Sequence, residues 1–145
     1  MTKVFVDNDE ELRHTRTVKP NQPNPTVAEL EILRVLWEHG PHSVREIQRM
    51  LNEIKPTGYT TVLKLLQIMT GKGLVSRDEK KRPQIYSARY AREHTQGQLL
   101  HDLVQRAFGG SVKALVLRAL ANHKSTRREL EEMEKLLDKI ERQTK

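Results

Sequence analysis

The side chains with the clearest capacity for chemistry lie between Thr57 and Gln67. Hydroxyl and amide groups there can exchange hydrogen bonds with the edges of nucleotide bases, and a lysine can reach a base acceptor or a phosphate. Apolar residues of the same segment recur at i, i+3, i+4 and i+7 from Val62, which predicts a helix from about residue 59 to 72 with its polar face turned outward. The candidate contact residues on or beside that face are Thr57, Tyr59, Thr60, Thr61, Leu63, Lys64 and Gln67.

A run of three cations follows this segment, formed by Lys80, Lys81 and Arg82. It lies between residues 74–77 and 84–87, two short stretches with strand character, so the pattern predicts a small β-hairpin with a basic tip. Such a tip can rest on a phosphate backbone. Alone, three charges are more often plain solvated surface, and the DNA-contact interpretation therefore depends on the helices around them.

Capping signals predict the elements that position these groups. Thr26 with Glu29, and Ser43 with Glu46, have the spacing of capping boxes, each followed by apolar residues at helical intervals. Glycine and proline residues end both helices. Helix, helix, helix and hairpin within residues 26–90 is the order of a winged helix-turn-helix, a DNA-binding domain. That segment holds eleven basic and seven acidic residues, in keeping with an anionic partner.

Residues 91–145 predict three further helices, and the fold class is therefore mainly α. The helix from Val112 to Ala121 is apolar nearly all round and must be buried on every side, while the last helix carries a short a/d seam. These helices could fold back on the first domain, but a unit of this size buries little surface alone, which favours a helical dimerisation domain and a homodimer. The predicted dimerisation residues are Leu115, Val116, Leu120, Leu130, Met133, Leu137 and Ile140.

Composition limits the other function classes. The 145 residues carry a net charge of +7 and no cysteine, so disulfides and thiolate sites are excluded. No apolar run approaches the ~20 residues that span a bilayer, and the first residues do not have the pattern of a secretory signal peptide; we expect a cytoplasmic protein without membrane insertion. No catalytic motif, metal site or cofactor site is predicted, and we expect no enzyme. Residues 1–25, with three prolines in their last six positions, predict a flexible N-terminal extension.

Residues 26–142 resemble the penicillinase-repressor (BlaI/MecI/CopY) family of bacterial winged-helix transcriptional repressors. The resemblance implies a homodimer on a palindromic double-stranded DNA operator, with the third helix in the major groove and contacts from Thr60, Thr61, Leu63 and Lys64. The matching stretches are Glu29-Leu30-Glu31-Ile32-Leu33, Leu36-Trp37, Tyr59-Thr60-Thr61-Val62, Lys72-Gly73-Leu74-Val75, Phe108-Gly109-Gly110-Ser111 and Glu129-Leu130-Glu131-Glu132.

Two departures from the family pattern bear on regulation. The copper-responsive branch carries a cysteine-rich metal motif, and the absence of cysteine here excludes sensing of that type. In the antibiotic-responsive branch, a membrane sensor protease system leads to cleavage of an Asn-Phe bond in the dimerisation domain. The matching bond here is Arg118–Ala119, a chemically different candidate cleavage position. The alternative function is a helical interaction adaptor whose winged helix binds protein.

Overall fold

The computed structural model describes residues 24–144 of the chain, so all but the last two residues of the predicted N-terminal extension lie outside it. The described residues divide into two compact units, 24–100 and 101–144, with the boundary inside the fourth helix. The domain limits predicted above, 26–90 and 91–145, stay predictions. The elements in chain order are α1 Val27–His39, α2 Val44–Asn52, α3 Tyr59–Lys72, β1 Val75–Asp78, β2 Ile85–Ala88, α4 Arg92–Ala107, α5 Val112–Asn122 and α6 Arg127–Gln143.

The predicted capping boxes start α1 and α2. The Thr26 hydroxyl accepts a hydrogen bond from the Glu29 backbone N–H at 3.2 Å, and Glu29 Oε1 accepts one from the Thr26 N–H at 2.9 Å. The Ser43 hydroxyl and Glu46 carboxylate make the same exchange at 3.3 and 3.0 Å. Each box satisfies two backbone donors that a helix start otherwise leaves unpaired. Both helix starts predicted from the sequence are confirmed.

Helices α1, α2 and α3 pack around a core to which the hairpin contributes. Val62, Leu66 and Met69 of α3 are fully buried. Leu65 lies half-buried at the edge of the core. Gly73 ends α3 in the left-handed conformation, with φ of +81°, which only glycine adopts at little cost. The most completely buried apolar side chains are Ile32, Leu33, Ile47, Val62, Leu66, Met69 and Tyr86.

Strands β1 and β2 form an antiparallel hairpin, one residue later along the chain than predicted. Tyr86, 2% exposed, anchors β2 to the turn before α2: its N–H donates to the His42 carbonyl at 2.9 Å, and its carbonyl accepts from the His42 N–H at 3.1 Å. The base of the hairpin is thereby fixed to the helical core. The fold is mainly helical with a small two-stranded wing, and the predicted fold class is confirmed.

Side-chain bonds tie the start of α4 to the first unit. Trp37 Nε1 donates to the Tyr90 carbonyl at 3.0 Å, just after the wing. Further on, Gln98 Nε2 donates to Asn24 Oδ1 at 3.3 Å, and the Thr95 and Gln98 side chains are buried. The first turns of α4 therefore belong with the winged helix.

The second unit contains the end of α4 and helices α5 and α6. Gly109 and Gly110, in the turn after α4, adopt φ of +56° and +84°. The Ser111 hydroxyl caps α5, and Thr126 with Glu129 forms the predicted third capping box at the start of α6. No residue of α5 or α6 is buried. The sequence predicts an α5 that is buried on every side, whereas a single copy of the chain leaves its apolar residues exposed.

Candidate nucleic-acid interface

The outer face of α3 presents polar side chains to solvent. Thr60, Lys64 and Gln67 are exposed and follow one another at i, i+4 and i+7, so they lie on one side of the helix. Residues on the opposite side, Val62 and Leu66, are fully buried. Among the described residues, Lys64 forms no ion pair. This face can offer a cation, a hydroxyl and an amide to an external partner at no cost to the core.

Two other predicted contact residues lie on the flanks of this face. Thr61 is exposed and borders a small cavity of about 210 Å³ that also touches Ala28 and Leu65. Leu63, on the other flank, is half-buried and packs against the core. Lys64 lies closer to the centre of the face than either residue. A side chain on a flank reaches a base edge only if the helix is rotated in the groove.

The N-terminus of α3 lacks a side-chain cap. Gly58 is the N-cap residue, and the first backbone bond within the helix runs from the Val62 N–H to the Gly58 carbonyl at 3.2 Å. The earlier N–H groups point along the helix axis away from the helix, an arrangement that favours an anion. Tyr59, the first helical residue, is 39% exposed beside them.

Thr57 shapes the turn between α2 and α3. Its N–H donates to Asn52 Oδ1 at 2.6 Å, its hydroxyl donates to the Lys55 carbonyl at 2.9 Å, and its carbonyl accepts from Gln48 Nε2 at 3.1 Å. The predicted contact residue therefore uses its hydroxyl proton within the protein. These bonds stabilise the turn between α2 and α3, which positions the start of α3.

The tip of the wing exposes its three cations, which differ in how they are held. Lys80 and Lys81 form no ion pair with any described residue. Arg82 instead folds over the turn, where its Nη1 donates to the carbonyls of Glu79, at 2.5 Å, and Lys81, at 3.2 Å. Arg82 thus helps to shape the tip, while the two lysines project from it.

Three exposed residues beside the predicted set were not identified from the sequence. Arg45 and Arg49 lie four residues apart on α2, and the guanidinium carbon of Arg45 is 5.0 Å from the centre of the Tyr59 ring. Ile68 is 43% exposed and follows Lys64 by one helical turn. Two arginines spaced i, i+4 on the polar side of α2 were the sequence signal that could have found the first pair.

Hydrogen bonds shift the pKa of two groups near this surface. Bonds from the Ser43 backbone and hydroxyl hold the pKa of Glu46 below its ordinary value, with smaller contributions from the charges of His42 and Arg49. On the wing, the bond between Arg77 and the Tyr86 side chain raises the pKa of the Arg77 guanidinium. Both shifts favour the charged form of the side chain.

The predicted dimerisation residues lie on α5 and α6. Leu115 is half-buried, and the others are between 38% and 64% exposed. Arg118 and Ala119, the candidate cleavage position, are also exposed within α5. An exposed apolar surface of this kind is typical of a contact with another protein.

Within residues 24–144, no group of three or more histidine, aspartate or glutamate side chains is placed to bind a metal ion. No helix in that range is long and apolar enough to cross a membrane.

A family model described as penicillinase repressor matches residues 25–139. The chain belongs to the penicillinase repressor family. The resemblance seen in the sequence is thereby confirmed, and with the winged-helix fold it makes the chain a DNA-binding transcriptional repressor. The penicillinase repressor of Bacillus licheniformis is 22% identical over 116 residues, which cover 80% of this chain and 91% of that protein. The penicillinase repressor of Staphylococcus aureus is 22% identical over 115 residues, which cover 79% and 91%.

Solved structures similar to this member of the penicillinase repressor family include the YusO protein of Bacillus subtilis. It is 20% identical with a TM-score of 0.45, and the match covers 98% of this chain and 99% of that one. A MarR family protein from Bacillus stearothermophilus is 17% identical with a TM-score of 0.46, covering 99% and 98%.

Proposed function

We propose that the chain binds a palindromic double-stranded DNA operator as a homodimer, with α3 in the major groove and the wing on the phosphate backbone. The observation that carries this proposal is the exposed polar face of α3. Lys64 lies near the centre of that face, on the side of the helix opposite the fully buried apolar residues. Lys64 can donate to guanine acceptors, Gln67 can pair with adenine, and Thr60 can contact a base or a phosphate.

The wing supports the same orientation. Lys80 and Lys81 project from a hairpin whose base is fixed by Tyr86, so their charges are held on the same unit as α3. Cations at such a tip fix the register of a protein on the duplex without reading its sequence. The uncapped start of α3 adds backbone donors for a further phosphate.

A homodimer is supported by the exposed apolar residues of α5 and α6. Val116 and Leu120 on α5, and Met133 and Leu137 on α6, are each at least 38% exposed in one copy of the chain. Pairing two copies would cover them and link two recognition helices. Two-fold symmetry in the protein then requires a palindromic operator, with half-sites separated by about 34 Å or a multiple of it.

We also propose that proteolysis within α5 releases the chain from the operator. The Arg118–Ala119 bond lies in the middle of α5, and both side chains are exposed. Cleavage there would divide the helix that carries three of the seven predicted dimerisation residues. Loss of the dimer would remove the gain in effective concentration that comes from joining two DNA-binding units. A membrane sensor protease system is the kind of partner that the family resemblance implies.

The test is selection of duplexes from a random pool with the full-length chain, followed by titration of the selected duplex and a mixed-sequence duplex at several salt concentrations. We expect selected sites to be palindromic and the affinity to fall steeply with salt, by about 0.9 log units per log unit of salt for each phosphate contact. No enrichment together with a flat salt dependence would overturn the proposal and favour the protein-binding adaptor.

A further inference from the structure

A groove of about 590 Å³ lies between α2, the start of α3 and the wing, all within the first unit. Three arginines line it, two from α2 and one from the wing: Arg45, Arg49 and Arg82. Arg45 and Arg49 come from successive turns of α2, so both guanidinium groups lie along the same side of that helix. Its remaining lining includes Tyr59 and Leu63 from α3, next to the outer face described above.

An aromatic ring holds one of these arginines in place. The Arg45 guanidinium lies over the Tyr59 ring, with its central carbon 5.0 Å from the ring centre, which is within the range of a cation–π contact. A contact of this kind with the ring face leaves guanidinium N–H groups available as donors to an oxygen acceptor. Arg45 is exposed, so those donors can reach a partner that enters the groove.

The negative charge beside the groove is already engaged in hydrogen bonds. Among the described residues that line the groove, only Glu46 carries a carboxylate. Glu46 Oε1 accepts hydrogen bonds from the Ser43 N–H and hydroxyl at 3.0 and 3.1 Å. That carboxylate is therefore committed to the N-cap of α2. Three arginines against one engaged glutamate leave the groove with a positive charge, complementary to an anion.

We propose that this groove holds the sugar-phosphate backbone of one DNA strand between the recognition helix and the wing, with Arg45 and Arg49 as phosphate-binding residues and Tyr59 as the platform that orients Arg45. The inference rests on the proposed function, because it requires α3 to lie in the major groove. It adds a set of contacts on α2 to those of α3 and the wing tip.

The shape of the groove favours a polymer over a small anion. The groove is open to solvent, whereas sites for small molecules bury most of the ligand surface. Two arginines one helical turn apart also match successive phosphates along a strand better than a single enclosed anion. Arg82 places a third charge on the far side, where its bonds to the turn carbonyls hold it.

The experiment compares four single variants of the full-length chain with wild type on the selected operator and on a mixed-sequence duplex, across a range of salt. Arg45→Ala and Arg49→Ala each remove one proposed phosphate contact. Arg45→Lys keeps the charge but loses the planar guanidinium that lies over the Tyr59 ring. Arg34→Ala is the matched control, since Arg34 is an exposed arginine on α1 outside the groove. Circular dichroism and thermal unfolding check that each variant is folded.

We expect Arg45→Ala and Arg49→Ala to weaken binding to both duplexes by the same factor and to reduce the salt slope by about 0.9 each. Arg45→Lys should keep the wild-type slope with lower affinity, and Arg34→Ala should match wild type closely. Wild-type slopes in both alanine variants would overturn the inference, as would weakening confined to the selected operator, which would indicate base contacts. Saturable binding of inorganic phosphate at Arg45 without DNA would also overturn it, in favour of a small-anion site.

Failure of this inference differs from failure of the proposed function. If wild type binds the operator and Lys64→Ala loses selectivity while both α2 variants bind as wild type, only the groove assignment fails. If wild type binds neither duplex, the proposed function and the inference fail together.

Discussion

The buried carboxylate of Glu29 joins the first turn of α1 to Lys72, the last residue of α3. Lys72 Nζ lies 2.8 and 3.0 Å from its two oxygens, and Oε1 also accepts from the Thr26 N–H at 2.9 Å. Glu29 is only 2% exposed, whereas the Lys72 side chain is 25% exposed. The pair thus fixes the C-terminal end of α3 against the start of α1, at the opposite end from the turn that Thr57 holds.

Lys72→Met should destabilise the fold, because it leaves the Glu29 carboxylate buried without its counter-charge. We expect a loss of about 2 kcal/mol in the free energy of unfolding. This is less than the roughly 3–5 kcal/mol of a broken, fully buried pair, because Lys72 is partly solvated. Urea denaturation measures this loss. Combining Lys72→Met with Glu29→Gln should restore part of it, because the glutamine needs no counter-charge and can keep the bond to Thr26. A double variant less stable than Lys72→Met alone would contradict this account.

Lys64→Ala should weaken binding to the selected operator by about 1–3 kcal/mol and relax the preference at one position of each half-site. The fold should be unaffected, since Lys64 is exposed opposite the buried Val62 and Leu66. Operator titration and circular dichroism measure the two effects. Thr61→Ala should cost less than Lys64→Ala, because Thr61 lies on the flank of the face. An unchanged operator affinity in both variants would place the contact surface elsewhere.

The parts of the fold predicted from sequence are those that local chemistry determines. Thr26 with Glu29 and Ser43 with Glu46 are capping boxes that close within four residues, so their helix starts can be identified without tertiary information. The burial of Val62 at one face of α3 follows from helical spacing in the same way.

Relations between distant residues could not be predicted in this way. Two such interactions join separate elements: the cation–π contact between Arg45 and Tyr59, and the backbone pairing of Tyr86 with His42. The local sequence contains no pattern that predicts either one. The sequence predicts the same phosphate-contact role for Arg82 as for Lys80 and Lys81. The bonds from Arg82 to the turn carbonyls distinguish it from the two lysines, and they can be identified only in the structure.

Neutralising the wing tip should separate the two roles of its cations. Replacing Lys80 and Lys81 together by alanine should weaken binding to every duplex and leave the hairpin unchanged. Removing each lysine that contacts a phosphate should reduce the salt slope by about 0.9. Arg82→Ala should in addition loosen the tip, because it removes the bonds to the Glu79 and Lys81 carbonyls. Salt titrations measure the first effect and amide hydrogen exchange across residues 78–84 the second. A shift in sequence preference with an unaltered slope would contradict a wing that clamps the backbone.

The Glu46 carboxylate should titrate with a pKa below its ordinary value of 4.5, because the Ser43 backbone and hydroxyl bonds favour its charged form. A group whose pKa is lowered in the folded state stabilises the fold above its unfolded pKa, and this contribution is lost as pH falls through the lowered folded value. Carboxyl NMR titration of the full chain measures the midpoint. Ser43→Ala should move it upward, whereas Thr126→Ala, which removes the equivalent cap of α6, should leave it in place. Alanine keeps the backbone N–H that donates to Glu46, so equal midpoints in wild type and Ser43→Ala would show that the hydroxyl bond does not lower this pKa.

Introducing a charge into the apolar seam of α6 should dissociate the dimer. Leu137 belongs to the a/d series with Leu130, Met133 and Ile140 and is 64% exposed in a single copy. Leu137→Asp would bury a carboxylate between two copies, which is costly without a partner. Leu136→Asp is the matched control, since Leu136 is 56% exposed on the same helix but outside that series. Sedimentation of the full-length chain, with operator titration of the same samples, measures assembly and its effect on DNA binding.

We expect wild type to sediment as a dimer, Leu137→Asp to shift toward monomer, and Leu136→Asp to stay closer to wild type. Operator affinity should fall as the dimer dissociates, because each monomer then binds its half-site without the effective concentration supplied by the other. Affinity for a single half-site should be nearly unchanged, since the winged helix itself is not altered. A monomeric wild type, or a monomeric Leu137→Asp chain that binds the full operator as tightly as wild type, would show that repression by this chain does not depend on pairing through α6.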